Sequence, residues 1–141
     1  MTSPRYMLDT NIISDMVKNP RGEAAHRARL EQDGLCTSIV VAGELRYGCA
    51  KTGSVELTRK VEEILDEIGV VALDQPADEH YGVLRHELEK AGQIIGSNDL
   101  LIAAHAASMH LTLVTANLRE FARVPGLKVE NWLEATPRST P

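Results

Sequence analysis

The sequence predicts an α/β fold in which a parallel sheet of about five strands carries helices on both faces. Short apolar runs alternate with helical patterns along the whole chain, which is the order of βαβ units. These runs are continuously apolar, which indicates strands buried on both faces. The length of 141 residues and the hydrophobic fraction of 43% fit one domain. We expect this domain to cover residues 1–135 and a loose C-terminal tail to cover residues 136–141.

The elements follow one another at regular intervals. Five apolar runs predict the strands, in chain order Tyr6–Leu8, Leu35–Thr37, Val70–Leu73, Leu111–Thr115 and Leu127–Val129. Six segments have helical patterns, at 11–18, 21–32, 40–50, 54–68, 78–90 and 99–108. The fourth of these is the clearest, because its apolar residues fall on one face: Leu57, Val61, Ile64, Leu65 and Ile68. Helices of this length supply the crossover connections that a parallel sheet needs.

The composition restricts the class of protein. A formal net charge of −5 argues against nonspecific binding of nucleic acid through a basic surface. It does not exclude a nuclease, because a carboxylate site reverses its local charge when it binds a divalent metal. No apolar run approaches the ~18 residues of a membrane span, and no apolar segment precedes the first acid, so we expect a cytoplasmic protein without a membrane partner. Cys36 and Cys49 lack metal-binding spacing and are expected to fill the core.

Four polar positions stand out, namely Asp9, Glu44, Asp99 and Asn117, and the three acids among them lie at the edges of apolar segments. Asp9 directly follows the first predicted strand, and Asn117 follows the fourth by two residues. Ligands of open α/β sheets bind beyond the carboxyl ends of the strands, so these positions are expected to converge there. Helix capping is an equally good interpretation of Asp9 or Asp99 taken alone. Glu44 lies among apolar and small residues, where a merely solvated glutamate is harder to explain.

Converging carboxylates predict a bound cation. Without one, each carboxylate raises the pKa of its neighbours. A donor set made only of oxygen selects a hard ion such as Mg²⁺ or Mn²⁺. Mg²⁺ typically takes one or two protein carboxylates, several waters and the phosphate oxygens of a substrate. This arrangement suits the hydrolysis of a phosphodiester bond.

Four segments of the chain resemble the PIN-domain ribonucleases, and most of all the VapC toxins. They are Met7–Asn11, Val41–Gly48, Ile95–Ala107 and Leu113–Trp132. The resemblance runs in order over nearly the whole chain, and its most specific part is the stretch Asn98–Ala106. It implies a PIN-like fold and a metal-dependent endoribonuclease that uses Mg²⁺ or Mn²⁺.

The resemblance also implies roles for individual residues. Asp9, Glu44 and Asp99 would be the acidic residues of the active site, with Asp9 and Asp99 as metal ligands. Asn117 would occupy the fourth catalytic position, where many relatives carry aspartate. The neutral amide puts a second metal ion in doubt, although Glu120 is close enough in sequence to take its place.

Polar residues beside the acids are candidates for orienting them. Thr10 and Thr115 rank slightly ahead of Asn11 and Ser38 in this role, and local turn or cap bonding is about as good an interpretation for each. His105 lies in an alanine-rich helix and is interpreted as a buried histidine with satisfied hydrogen bonds. The histidines show no metal-binding motif.

The resemblance implies partners as well. A VapC-type toxin has a small DNA-binding antitoxin of the VapB type, whose tail covers the active site. The complex represses its own operon, so operator DNA would be contacted only through the antitoxin. The toxin would be a homodimer, and its substrate would be a structured RNA, with initiator tRNA as the candidate.

Two other functions are weighed against this one. A phosphoaspartyl phosphatase would place its nucleophile at Asp9, but that family needs a second aspartate two residues later, where this chain has Asn11. A non-catalytic PIN-like domain that binds RNA or protein remains open because Asn117 replaces an acid. RNA cleavage with and without Mn²⁺ separates the three readings.

Overall fold

A computed structural model describes residues 3–134, so the predicted tail at 136–141 lies outside the described residues. Five parallel strands form one sheet in the order β3-β2-β1-β4-β5. The strands are β1 (Tyr6–Leu8), β2 (Leu35–Ser38), β3 (Val70–Val71), β4 (Thr112–Val114) and β5 (Val129–Glu130). The predicted parallel α/β fold is confirmed.

Seven α-helices connect and cover these strands within the described residues. They are α1 (Thr10–Lys18), α2 (Glu23–Leu30), α3 (Ile39–Thr52), α4 (Val55–Ile68), α5 (Ala77–Lys90), α6 (Ser97–Ser108) and α7 (Leu118–Phe121). The steps from β1 to β2 and from β2 to β3 go one way across the sheet, and the step from β3 to β4 goes back. Right-handed crossovers therefore put α1 to α4 on one face and α5 and α6 on the other. None of the helices in residues 3–134 is long and apolar enough to cross a bilayer.

The structure differs from the sequence prediction mainly at element ends. The third strand stops at Val71, not Leu73, because its partner β2 ends at Ser38, which pairs with Val71. The predicted helix 21–32 ends at Leu30 and gives way to a 3₁₀ turn. Helix α7 was not predicted, since four residues are too few to show a helical period.

The core centres on the two middle strands. Met7 and Leu8 of β1 and Leu113 and Val114 of β4 are completely buried. Phe121 is completely buried as well and anchors the short helix α7 to this core. The strand order reverses between β1 and β4, because consecutive connections leave β1 in one direction and return on its other side. Such a switch point opens a crevice at the carboxyl ends of its strands.

Candidate active site

Asp9 lies at the carboxyl end of β1, in that crevice. It is the N-cap of α1, and its Oδ1 accepts a hydrogen bond of 2.8 Å from the backbone N–H of Thr10. Its Oδ2 accepts a second bond of 2.8 Å from the hydroxyl of Thr115. Only 4% of the residue is exposed. Capping and a place in the site are therefore compatible for Asp9, because the cap bond uses one oxygen and leaves the carboxylate in the crevice.

The register of the middle strands explains why Thr115 reaches Asp9. Leu8 pairs with Val114, so the next residue of each strand stands at the same level. The Asp9 N–H also donates to the Val114 carbonyl at 2.8 Å, which extends the ladder by one step. Asn11 supports the same edge, since its Oδ1 accepts a 2.9 Å bond from the N–H that follows Thr115.

Glu44 comes to the site from α3. Ser38 caps this helix by accepting a bond of 3.1 Å from the Val40 N–H, so α3 starts at the carboxyl end of β2. The Thr10 hydroxyl donates to Glu44 Oε1 at 2.6 Å. Thr10 thus contacts two acids, Asp9 through its backbone and Glu44 through its side chain.

Asp99 and Glu120 meet on the other side of the crevice. Asp99 lies in the first turn of α6, whose N-cap is Gly96, so Asp99 does not cap the helix itself, although the helix dipole favours an acid at this position. Glu120 on α7 accepts a 2.7 Å bond from the Gly96 N–H and another of 2.7 Å from the side-chain amide of Asn117. A hydrogen bond also joins the carboxyl groups of Asp99 and Glu120. The side chain of Asn117 therefore contacts an acid directly.

The acids change one another's ionisation. Burial raises the pKa of Asp9, the bonds from Thr115 and Thr10 oppose this rise, and the charge of Glu44 adds to it. Burial raises the pKa of Asp99 to about 7, helped by the hydrogen bond to Glu120 and by the charges of Glu120, Asp9 and Glu44. The Gly96 N–H lowers the pKa of Glu120, so one proton shared by this pair resides on Asp99. These four carboxyl groups form one electrostatic unit.

The donor set fits a hard divalent cation held by a pair of carboxylates. Among residues 3–134 no group of three or more histidine, cysteine or acidic side chains forms a ready-made metal site. Several carboxylate oxygens are instead engaged with hydroxyl and N–H donors on the walls of the crevice. Mg²⁺ needs only one or two protein carboxylates, because water and substrate phosphate complete its shell. The raised pKa of Asp99 reflects the excess of negative charge that such an ion would neutralise.

The structure thus brings together every acid that the sequence singled out, with Asn117 beside Glu120. Thr10 and Thr115 donate to these acids, and their catalytic importance stays a prediction. The Gly96 N–H was missed, because a backbone donor leaves no mark in the residue types. His105 was interpreted as fully satisfied. It is buried, but its Nε2 has no hydrogen-bond partner of normal geometry within residues 3–134.

The family model for the PIN domain matches residues 6–127. Ribonuclease VapC2 of Haemophilus influenzae is 39% identical over 130 residues, which are 92% of this chain and 98% of that protein. The tRNA(fMet)-specific endonuclease VapC of Shigella flexneri is 40% identical over 129 residues, 91% of this chain and 98% of the relative. The chain belongs to the PIN domain family. Within it the chain is a VapC-type ribonuclease, as the resemblance implied.

Solved structures of VapC-type proteins agree with this fold. The VapBC2 complex of Rickettsia felis, bound to a DNA fragment from its promoter, matches with a TM-score of 0.83 at 36% identity, over 93% of this chain and 99% of that one. The DNA-bound VapBC of Salmonella typhimurium matches with a TM-score of 0.83 at 37% identity, over 92% and 98% of the two chains. The predicted PIN-like fold is therefore confirmed over nearly the full length.

Proposed function

We propose that this VapC-type chain is a Mg²⁺- or Mn²⁺-dependent endoribonuclease and the toxin of a toxin–antitoxin pair. The observation that carries the metal dependence is the electrostatic unit of Asp9, Glu44, Asp99 and Glu120 at the switch point of the sheet. The possible metal ligands of this unit are all carboxylate oxygens, and their excess negative charge favours the binding of a hard cation.

Asp9 and Asp99 are the proposed ligands of the first ion. Asp9 is held by two hydrogen bonds, so its carboxylate enters metal binding in a fixed orientation. Asp99 would release its proton as the ion binds, because the cation replaces the proton as the neutralising charge. A bound ion would lower the pKa of the attacking water and neutralise negative charge on the phosphate.

The remaining residues hold these groups in place. The Thr10 hydroxyl orients Glu44 across the crevice, and the Gly96 N–H and Asn117 amide orient Glu120. Glu120 is better placed than Asn117 to act as the fourth ligand, because the side-chain amide of Asn117 donates a hydrogen bond to Glu120. We propose that a second ion, where one binds, uses Glu120 and the substrate phosphate.

The relatives suggest the partners. The matched Rickettsia felis and Salmonella typhimurium structures are VapBC complexes bound to DNA, and the Shigella flexneri relative is a tRNA(fMet)-specific endonuclease. We propose that this chain pairs with a VapB-type antitoxin, contacts operator DNA only through it, and acts as a homodimer in the cytoplasm. Initiator tRNA is the proposed substrate.

The phosphatase alternative loses further support from the structure. Asn11 stands where that chemistry needs its second aspartate, and its Oδ1 is occupied by the Ala116 N–H at 2.9 Å. It therefore supports the sheet edge and offers no proton to a leaving group.

RNA cleavage tests the proposal. The antitoxin-free chain is incubated with initiator tRNA, and with an elongator tRNA as a control for specificity, in EDTA, Mg²⁺ or Mn²⁺. We expect no cleavage in EDTA and cleavage of the initiator tRNA with either ion. Asp9→Asn serves as the matched control, because it removes one charge and keeps the size of the side chain. Full activity in EDTA, or full activity of the variant, would contradict the proposal.

A further inference from the structure

His105 and Ser38 form a buried hydrogen bond that the proposed chemistry does not use. His105 Nδ1 lies 2.8 Å from Ser38 Oγ, and both residues are buried, with 2% and 0% exposed. The two belong to different layers of the fold, since His105 lies on α6 and Ser38 ends β2 and caps α3. The bond therefore ties α6 to the junction of β2 and α3.

The surroundings of His105 and Ser38 allow this bond in a neutral ring. Ser38 Oγ already accepts the N–H of Val40 at 3.1 Å, and its own hydrogen stays free to be donated. The Ala72 backbone lies near enough to favour a proton on the imidazole. Burial is the larger effect and lowers the pKa of His105, so the ring is neutral with one nitrogen free to accept. With the proton on Nε2 the Ser38 hydroxyl donates to Nδ1, and with the proton on Nδ1 the ring donates to Ser38 Oγ, so the neutral ring keeps the bond in either tautomer.

The position of the bond relates it to the carboxylates. Helix α3 leads from Ser38 to Glu44 in six residues, and α6 leads from His105 back to Asp99 in six residues. Six residues of an ideal helix span about 9 Å. At the far end of this span the two carboxylates are close enough for the charge of Glu44 to raise the pKa of Asp99. The bond thus fixes the two helices that carry these acids.

We propose that the His105–Ser38 bond sets the position of α6 relative to α3 and β2, and thereby places Asp99 against Asp9 and Glu44. His105 is a positioning residue, since it acts on the reaction only through Asp99. A neighbouring contact of β2 holds the strand that carries Asp9. The Thr37 hydroxyl donates a hydrogen bond of 2.6 Å to the carbonyl of Leu8, the residue directly before Asp9. Two buried side chains of β2 thus locate Asp9 and Asp99 relative to each other. This inference rests on the proposed metal site.

Three variants separate this role from general core packing. His105→Leu keeps an apolar side chain of similar bulk and removes the bond. His105→Asn keeps a hydrogen-bonding atom near the place of Nδ1. Ile102→Ala is the matched control, because Ile102 is completely buried on the same helix and lies outside the polar network. The thermal transition of each variant is measured first. Mn²⁺ affinity by calorimetry and kcat and KM for RNA are then measured at a temperature where all variants are folded.

We expect His105→Leu to weaken Mn²⁺ binding and lower kcat by roughly 10–100-fold, as changes to groups that orient ligands do, with KM for RNA little changed. His105→Asn should recover most of both losses. Ile102→Ala should lower the thermal transition at least as much and leave Mn²⁺ affinity unchanged. Equal Mn²⁺ affinity in His105→Leu and Ile102→Ala would overturn the inference, and so would a failure of His105→Asn to recover affinity.

Ser38→Ala provides a second test that does not depend on His105→Leu folding. It should weaken Mn²⁺ binding on its own, and in the Ser38→Ala chain the change His105→Leu should cause little further loss of affinity, because both changes remove the same bond. Fully additive losses would contradict the inference. Mn²⁺ affinity is read without RNA, so the inference can fail while the wild-type chain cleaves RNA. An inactive wild-type chain with normal Mn²⁺ binding would instead refute the proposed function.

Discussion

At the scale of single residues, the site is organised by small polar groups that hold large charges. Thr10 contacts two acids, Asp9 and Glu44, and the hydroxyl of Thr115 donates a second hydrogen bond to Asp9. Each hydroxyl or N–H uses one carboxylate oxygen and limits how the acid can rotate. Asp99 has a different environment, because its carboxyl group meets another carboxyl group, that of Glu120. It is therefore the acid whose ionisation depends most on a cation.

Asp99→Asn tests that dependence. The amide has the same size but cannot give the ion a charged ligand, so we expect RNA cleavage to fall by more than the roughly 10–100-fold typical of changes behind the ligands. Without metal the thermal transition should stay or rise, because repulsion from Glu120, Asp9 and Glu44 is relieved. Unfolding of the variant, seen by circular dichroism, would instead assign Asp99 a structural role.

The stability of the metal-free chain should depend on pH through Asp99. Its pKa rises from 3.8 in the reference state to about 7 in the folded state, so between these values the folded chain binds more protons. The free energy of unfolding should therefore fall as the pH rises from about 4 through about 7. Urea denaturation in EDTA at several pH values measures this slope. The slope should flatten in Asp99→Asn, and an unchanged slope there would assign it to other groups.

At the scale of secondary-structure elements, α7 and the segment before α6 work as a pair. The Gly96 N–H donates to Glu120 of α7, and Arg123, two residues beyond the end of α7, donates to the Ile94 carbonyl at 3.1 Å. The completely buried side chain of Phe121 anchors α7 to the core. This pairing explains why an element of only four residues holds a site carboxylate in place.

Gly96→Pro tests the backbone donor. The φ angle of Gly96 is −58°, which proline adopts without strain, and the proline ring would replace the N–H that contacts Glu120. Glu120 would lose a hydrogen bond, and we expect RNA cleavage to drop about 10-fold or more. Gly96→Ala keeps the donor, and its Cβ would meet Glu120 Oε1 at an ordinary 3.6 Å. Equal activities of the proline and alanine variants would show that the N–H is unimportant.

The elements also show what the sequence could and could not predict. Strands β1, β2 and β4 were located to within a residue or so at each end, because apolar runs and their flanking polar residues define buried strands. Their carboxyl ends then predicted where Asp9 and Asn117 would lie. The contact of Asn117 with Glu120 depends on the one-turn helix α7, whose existence follows from the burial of Phe121 in the finished core. Such a tertiary cause leaves no periodic pattern in the chain.

At the scale of the whole molecule, one topological feature collects the site. The sheet order β3-β2-β1-β4-β5 sends chain segments to both sides of β1 and opens the crevice at its end. Asp9 comes from the middle of the sheet, Glu44 from the face of α1 to α4, and Asp99 from the opposite face. The His105–Ser38 bond joins these two faces behind the acids. Hydrogen bonds thus hold the mutually repelling acids close together, and the proposed ion would neutralise their charge.

The proposed site holds a divalent ion between Asp9 and Asp99. Crystals of the chain grown or soaked with Mn²⁺ and recorded with anomalous scattering would locate the ion directly. We expect an anomalous peak about 2 Å from a carboxylate oxygen of each of these residues, as hard cations require, and no peak at that place in crystals of Asp99→Asn. A peak elsewhere, or an empty crevice in crystals of a preparation that cleaves RNA with Mn²⁺, would contradict the proposed site.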